Sequence, residues 1–328
     1  MFGSLFGRKP TGFDTRDWHP QIDHALALFE KQDWTGLSLL VSRQSVNSAF
    51  RLITALGVRS ELDSDLGNYP HTPGLLTILG GIHTCWAWRH RGFGAGEDVE
   101  TDRWPRFFES LETASDLLTE ALELRENAAC ALGFMGRVLT GVGDTDQLAI
   151  IETRFLACPD RPLDGCAMFL QAHSPKWHGD HDSMFTFANR EALDERLHPA
   201  RHALPARAHV EKWLYDACMD EDPEVNRHAE RYMSQPEIVA DICALNDAFN
   251  REMADNPAAQ ADESACRFAH DNLGYALYLA GQRQEAARHV SALGQHPGQW
   301  PWVYSLGEPP AREWGRLRKS LGLSRRAA

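Results

Sequence analysis

The sequence lacks a long uninterrupted hydrophobic run. Its longest apolar stretch, near residues 75–82, is interrupted by glycines, and it is far shorter than the roughly 20 residues that a membrane-spanning helix needs. The first ten residues, MFGSLFGRKP, place their basic side chains after a short apolar stretch, which is the reverse of a secretory signal. These features predict a cytoplasmic protein with no membrane span.

Signatures of cysteine chemistry and of common enzymes are also missing. The seven cysteines are widely spaced, and no Cys-x-x-Cys pair is present, which is typical of reduced chains whose cysteines are small buried side chains. The chain contains no G-x-S-x-G, G-x-x-x-x-G-K-[ST] or G-x-G-x-x-G motif, so nucleophile elbows and phosphate-binding loops are not indicated. We therefore expect no cofactor.

Basic residues are too few to balance the acidic ones. The chain has 33 Lys and Arg against 46 Asp and Glu, a formal net charge of −13 at pH 7. Several of the basic residues gather in residues 311–328, so the preceding body is more acidic still. Such a body repels phosphate, which argues against a nucleic-acid groove. It favours a basic protein or peptide as the partner.

Helical periodicity is present along nearly the whole chain. Apolar residues recur at i, i+3, i+4 and i+7, for example from Phe107 to Leu122 and from Ala128 to Leu139, as on one face of a helix. No period-2 run bounded by turn residues is found, so the sequence predicts an all-α fold of about thirteen to fifteen short helices. Beyond these two stripes, helices are predicted at 20–31, 34–43, 46–56, 73–90, 146–158, 163–172, 183–194, 206–219, 236–252, 264–280 and 283–293.

Short helices with brief connections suit a stack of helical hairpins, in which each pair buries a face on the next. Glycines at 57, 92, 141 and 281 are expected to end helices. We expect an N-terminal extension over residues 1–18, a helical-repeat domain over 19–310, and a basic C-terminal helix and tail over 311–328. The best candidate for an internal break is the polar segment 254–263.

Residues 270–297, HDNLGYALYLAGQRQEAARHVSALGQHP, resemble a tetratricopeptide repeat. The matching features are the Leu-Gly pair 273–274, Leu277, a turn glycine at 281, Ala286 in the second helix, the apolar Val290 and Leu293, and a late proline at 297. His270 replaces the usual tryptophan. The stretches 158–191 and 291–304 are also similar to a group of bacterial tetratricopeptide-like proteins whose activity is not established. The resemblance implies an α-solenoid with degenerate repeats.

If the repeat geometry applies, Asp271, Tyr275 and Tyr278 would face a partner on the concave side. The alternative is that both tyrosines pack between helices. Trp300 and Trp302 lie in a proline-containing aromatic segment of the kind that anchors interfaces. The alternative for this segment is that it folds back to cover the open end of the helix stack.

One loop, QAHSPKWHGDHDSMF, is rich in metal-ligand residue types. His178, Asp180 and His181 are its candidate ligands, and a bound divalent ion there would activate water. The spacing matches no established metalloenzyme pattern, and the alternative is a polar loop in which Asp180 or Asp182 caps the next helix.

The sequence favours a non-enzymatic helical-repeat protein that binds a protein or peptide on an acidic surface. One variant is a bacterial neutralising protein of the immunity type that occludes a basic toxin. A different class is a metal-dependent hydrolase built on the loop of His178 and His181. The oligomeric state is left open.

Overall fold

The computed structural model describes residues 19–92, 96–125, 128–306 and 311–323. Every regular element among these residues is a helix, and no strand occurs in them. The predicted all-α fold class is therefore confirmed. No helix in the described part of the chain is both long and apolar enough to cross a membrane. The extension 1–18 and the end of the basic tail, residues 324–328, lie outside the described residues.

The chain divides into two compact units. The N-terminal unit, His19–Ala172, contains eight α-helices in its described residues and two 3₁₀ helices, Gly96–Asp98 and Thr101–Arg103. The α-helices are α1 (Ile22–Glu30), α2 (Trp34–Ser42), α3 (Val46–Arg59), α4 (Pro73–Arg91), α5 (Trp104–Leu124), α6 (Ala129–Val142), α7 (Thr145–Ala157) and α8 (Leu163–Ala172).

The C-terminal unit begins at His173. Its described residues include two 3₁₀ helices, Pro199–His202 and Pro257–Ala261, and the segment 254–263 lies inside this unit. Its α-helices are α9 (His181–Ala192), α10 (Ala203–Cys218), α11 (Pro223–Tyr232), α12 (Pro236–Asp255), α13 (Glu263–Leu279), α14 (Arg283–Leu293), α15 (Val303–Leu306) and α16 (Ala311–Ser320).

In the N-terminal unit, α4 and α5 form an antiparallel hairpin. Leu118 of α5 lies beside Gly80 of α4, and Phe107 lies against Trp88 with ring centroids 5.3 Å apart. Sequence order therefore runs in opposite directions along the two helices. Heptad-like apolar positions of α5 face α4, and the opposite face of α5 remains polar and exposed.

Helices α4, α6 and α8 of the same unit run parallel. The pairs that define this order are Gly81 with Phe134 and Trp88 with Arg137 between α4 and α6, and Gly133 with Gly165 and Gly136 with Phe169 between α6 and α8. Glycines at these contacts allow the helix axes to approach closely. The helices α4, α6 and α8 thus form one parallel layer, with α5 antiparallel to α4.

In the C-terminal unit, α13 and α14 form the hairpin predicted for residues 270–297. Gly281 has φ +73 directly after α13, a conformation that favours glycine. The apolar positions assigned from the sequence, Leu273, Leu277, Val290 and Leu293, are all buried. The hairpin geometry of this stretch is therefore confirmed.

Two of the four glycines predicted to end helices do so. Gly92 caps α4 with φ +77, and Gly281 follows α13. The prediction is wrong for Gly57 and Gly141, which lie inside α3 and α6, and α6 ends at Gly143 instead. At both interior positions an added Cβ would lie within 3 Å of a side chain on a neighbouring helix, so these glycines serve close packing.

Candidate binding sites

A segment that follows α14 lies against α10 and α13; we call residues 298–305 the Trp-Tyr segment. Its Trp302 is fully buried, and the indole Nε1 donates a hydrogen bond to Asp271 Oδ1 at 3.0 Å. The backbone N–H of Gly298 donates to the same oxygen at 2.9 Å. Because a Cβ on Gly298 would lie 2.6 Å from Asp271 Oδ2, only glycine allows this approach without displacement.

The Trp-Tyr segment also reaches a buried carboxylate on α10. The Tyr304 hydroxyl donates to both oxygens of Glu211, at 2.9 and 3.2 Å. Lys176 Nζ lies 2.5 Å from Glu211 Oε2, and Arg207 Nε lies 3.6 Å from Oε1, while the Glu211 side chain has no exposed surface. These four residues form a desolvated, hydrogen-bonded charge cluster.

The charge state of this cluster follows from its surroundings. Burial favours the neutral form of Glu211, but the charges of Lys176 and Arg207 and the hydrogen bonds from Lys176 and Tyr304 outweigh burial and hold the pKa of Glu211 below its usual value. Burial and the charge of Glu211 raise the pKa of Tyr304 well above its usual value. Glu211 is therefore an anionic acceptor, and Tyr304 is a neutral donor.

The residues that the sequence assigns to partner binding largely contact one another. Tyr275 is fully buried; its hydroxyl lies 2.6 Å from Ser305 Oγ, and its ring meets the Trp302 ring edge-on at 5.1 Å. Asp271 is 1% exposed. In this conformation Asp271, Tyr275 and Trp302 contact one another or other residues of the chain, as the alternative interpretations expect of Tyr275 and Trp302.

The remaining two members of that set keep some exposure. Tyr278 on α13 and Trp300 in the Trp-Tyr segment are both partly exposed. The ring of Trp300 lies 5.0 Å from the ring of Tyr304. Trp300 therefore shields the tyrosine that contacts Glu211.

Sequence reasoning did not identify Lys176, Arg207, Glu211 or Tyr304 as members of one cluster. Lys176 and Tyr304 lie 35 and 93 residues from Glu211 in the chain, so no local pattern connects them. The one local signal is the i, i+4 spacing of Arg207 and Glu211, which is compatible with a helical ion pair.

Two of the three candidate metal ligands in the histidine-rich loop make contacts that explain their presence without a metal ion. Asp180 is the N-cap of α9, accepts from Ser183 N at 2.7 Å and completes a capping box, which confirms the capping alternative. His181 Nε2 lies 2.9 Å from Asp216 Oδ1, while Lys212 Nζ lies 2.7 Å from the other oxygen of Asp216.

The third candidate, His178, is exposed. Within the described ranges, no group of three or more His, Cys, Asp or Glu residues is placed to hold a metal ion. The arrangement of these donors gives no support to the metal-dependent hydrolase.

A row of carboxylates follows the exposed face of α5; we call it the acidic stripe. Apart from Arg106 near its start, α5 carries no Lys or Arg. Large exposed apolar side chains lie at both ends, Phe108 with 47% and Leu124 with 55% of its surface exposed. The members of the stripe are Glu109, Glu112, Asp116, Glu120 and Glu123.

Most of the acidic stripe is not neutralised by neighbouring cations. Glu120 pairs with Nδ1 of His71 at 2.7 Å. Within the described part of the chain, Glu109, Glu112, Asp116 and Glu123 form no ion pair, and all four are exposed. Four of the five carboxylates of the stripe therefore form a negative surface that no cation of the described chain pairs with.

A buried histidine pair joins α13 to α14. His270 Nδ1 lies 2.9 Å from His289 Nδ1, and His289 Nε2 lies 2.8 Å from Asn246 Oδ1. Because the Asn246 oxygen accepts, His289 carries its proton on Nε2 and accepts from His270 at Nδ1. Burial lowers the pKa of His270 to about 4 and, together with the nearby His270 and Arg288, that of His289 to about 3.

No protein-family model matches the chain, and no curated protein matches it either.

Proposed function

We propose that this chain is a non-enzymatic helical-hairpin protein that binds a basic protein or peptide through the acidic stripe of α5. The observation that carries the proposal is the row of exposed carboxylates between two exposed apolar side chains, Phe108 and Leu124. Opposite charge speeds encounter and sets orientation, whereas apolar anchors supply affinity.

The geometry of the acidic stripe favours a partner with matching basic spacing. From Glu109 to Glu123 it extends about 21 Å, at about 1.5 Å per helical residue. Successive carboxylates are separated by three or four residues, so they project from one side of α5. A partner with Lys or Arg at similar spacing, such as an amphipathic basic helix with an apolar residue at one end, would match both the charges and the anchors.

The helix order supports a hairpin stack of the tetratricopeptide-like type. In such stacks the first helices of successive hairpins lie parallel in one layer, and α4, α6 and α8 do so in the N-terminal unit. The α13–α14 hairpin has the turn glycine and buried apolar positions of the repeat. A cytoplasmic location is in keeping with seven free cysteines.

The test compares three immobilised versions of the full chain as baits in lysate of the source cells. The first is the wild type. The second neutralises the stripe with the four substitutions Glu109→Gln, Glu112→Gln, Asp116→Asn and Glu123→Gln. The third makes the same change in net charge at exposed carboxylates of the C-terminal unit, with Glu221→Gln, Glu230→Gln, Asp247→Asn and Asp255→Asn.

The proposal predicts a basic protein retained by the wild type and by the control bait, but not by the stripe variant. Retention should be lost on raising the salt from about 50 mM to about 500 mM, because exposed charges are screened. Equal retention by the stripe variant, or no protein retained by the wild type at low salt, would contradict it.

A further inference from the structure

We propose that the face formed by α10 and α13 is a second binding site, for a peptide that presents a tryptophan and a tyrosine two residues apart. In this structure the Trp-Tyr segment occupies that site as an internal ligand. The site lies in the C-terminal unit and takes a ligand of different chemistry, so it is independent of the acidic stripe.

Two of the contacts pair a carboxylate acceptor on a helix with an aromatic donor in the segment. The acceptors, Glu211 on α10 and Asp271 on α13, belong to the helices. The donors, Trp302 Nε1 and the Tyr304 hydroxyl, belong to one short stretch of chain. This is the arrangement of a peptide whose aromatic anchors carry directional hydrogen bonds into pockets.

A purely structural closure would not need these carboxylates. Burying a carboxylate is costly, and buried ion pairs replaced by apolar side chains of similar volume are often no less stable. Glu211 has no exposed side-chain surface and Asp271 is 1% exposed. What the carboxylates add is selectivity, because a ligand without the N–H or O–H donor leaves a buried acceptor unsatisfied.

One of the two acceptors, Glu211, has partners outside the Trp-Tyr segment. Lys176, in the loop before α9, and Arg207, on α10, lie 2.5 and 3.6 Å from Glu211. Neither cation belongs to the Trp-Tyr segment. The anionic acceptor is therefore oriented before a ligand arrives, which lowers the entropic cost of binding.

Because the Trp-Tyr segment already occupies the site, an added peptide must compete with it for binding. A tethered segment acts at an effective concentration of about millimolar. A peptide added at micromolar concentration should therefore bind weakly to the wild type. Weakening the internal ligand should expose the site and strengthen the apparent affinity for the added peptide.

The experiment uses the full chain and a fluorescein-labelled synthetic peptide with the sequence of residues 298–305, GQWPWVYS. Binding is measured by fluorescence anisotropy to the wild type, Tyr304→Phe and Trp302→Ala. Tyr69→Phe is the matched control, since it makes the same change at a partly exposed position of the N-terminal unit, outside the proposed site. Circular dichroism verifies that each variant keeps its helix content.

We expect Tyr304→Phe to bind the peptide at least about tenfold more tightly than the wild type, since the internal ligand loses a hydrogen bond to a charged group. Trp302→Ala should bind more tightly still, and Tyr69→Phe should match the wild type. A peptide carrying phenylalanine in place of its tyrosine should bind at least about tenfold more weakly to the same variants.

If Trp302→Ala does not fold, Tyr304→Phe decides, because it removes one oxygen atom. A folded Tyr304→Phe chain that binds the peptide no better than the wild type overturns the proposal and leaves the segment as a structural cap. Equal binding of the phenylalanine peptide would also overturn it, since the carboxylates would then select nothing.

Discussion

A glycine decides how closely α13 approaches α14. A Cβ at Gly274 would lie 2.8 Å from the Cβ of His289, so Gly274→Ala forces the two helices apart. We expect a loss of about 1–3 kcal/mol in the free energy of unfolding, the usual cost of overpacking. Urea denaturation followed by circular dichroism measures it.

Gly74→Ala is the matched control, because Gly74 is also helical and an added Cβ there meets no atom within 4 Å. This change should be neutral or stabilising by up to about 1 kcal/mol, from helix propensity. Equal destabilisation by both substitutions would show that close packing is not the reason for Gly274.

The buried charge of Glu211 gives a second prediction for a single residue. Glu211→Gln leaves Lys176 and Arg207 beside a neutral amide, with only 12% of either cationic side chain exposed. Removing one partner of a buried ion pair costs about 3–5 kcal/mol. Thermal and urea unfolding should both show the loss.

Glu230→Gln makes the same change at an exposed position of α11, where surface substitutions usually alter stability by less than about 0.5 kcal/mol. If Glu211→Gln were equally mild, the cluster around Glu211 would not be desolvated in solution, and the second binding site would lose its basis.

At the level of helices, the histidine pair between α13 and α14 makes the free energy of unfolding depend on pH. His270 and His289 are neutral in the folded protein because burial lowers their pKa to about 4 and about 3, whereas an unfolded histidine has a pKa of about 6.5. Below about pH 6.5 the unfolded chain therefore binds more protons than the folded chain, and stability falls as pH falls towards about 4.

His289→Gln should reduce this pH dependence between about pH 6.5 and pH 5, by at most about 1.4 kcal/mol per pH unit. The measurement is the free energy of urea unfolding at several pH values. His24→Gln, at an exposed position of α1, should leave the dependence as in the wild type. An unchanged slope in His289→Gln would show that the α13–α14 histidine pair is not held neutral.

Helix positions were predictable because they depend on local pattern. The bounds of α8 and α14 match the predicted ranges 163–172 and 283–293, since proline, glycine and apolar spacing act within one helix. Gly57 was misassigned because the same residue that ends a helix also permits close packing inside one. The helix-ending role and the packing role of Gly57 can be distinguished only from the position of Cys85, which lies on the neighbouring helix α4.

The chemistry of the sites was less predictable than the helices. The aromatic segment near Trp302 was recognisable from composition, but its acceptors Asp271 and Glu211 lie 31 and 93 residues from the donors that they meet. Such pairings are decided by tertiary packing. The acidic stripe was foreseeable only as an excess of negative charge, because its position on α5 depends on which face that helix buries.

Across the whole molecule, the proposed functions belong to surfaces and not to a reactive side chain. Negative charge is common along the chain, so a salt-sensitive interaction by itself would not distinguish the acidic stripe from the general charge. The distinction requires a comparison at constant net charge. That is the purpose of the paired neutralised variants, whose total charge is identical and whose charge distribution differs.

The most direct test uses a synthetic amphipathic helix with lysines along one face and leucine at one end. Its affinity for the wild type, the stripe variant and the charge-matched control is measured by fluorescence anisotropy at about 50 mM salt. We expect the stripe variant to bind this helix at least about tenfold more weakly than the charge-matched control does. Indistinguishable affinities of the two variants would contradict a binding role for the acidic face of α5.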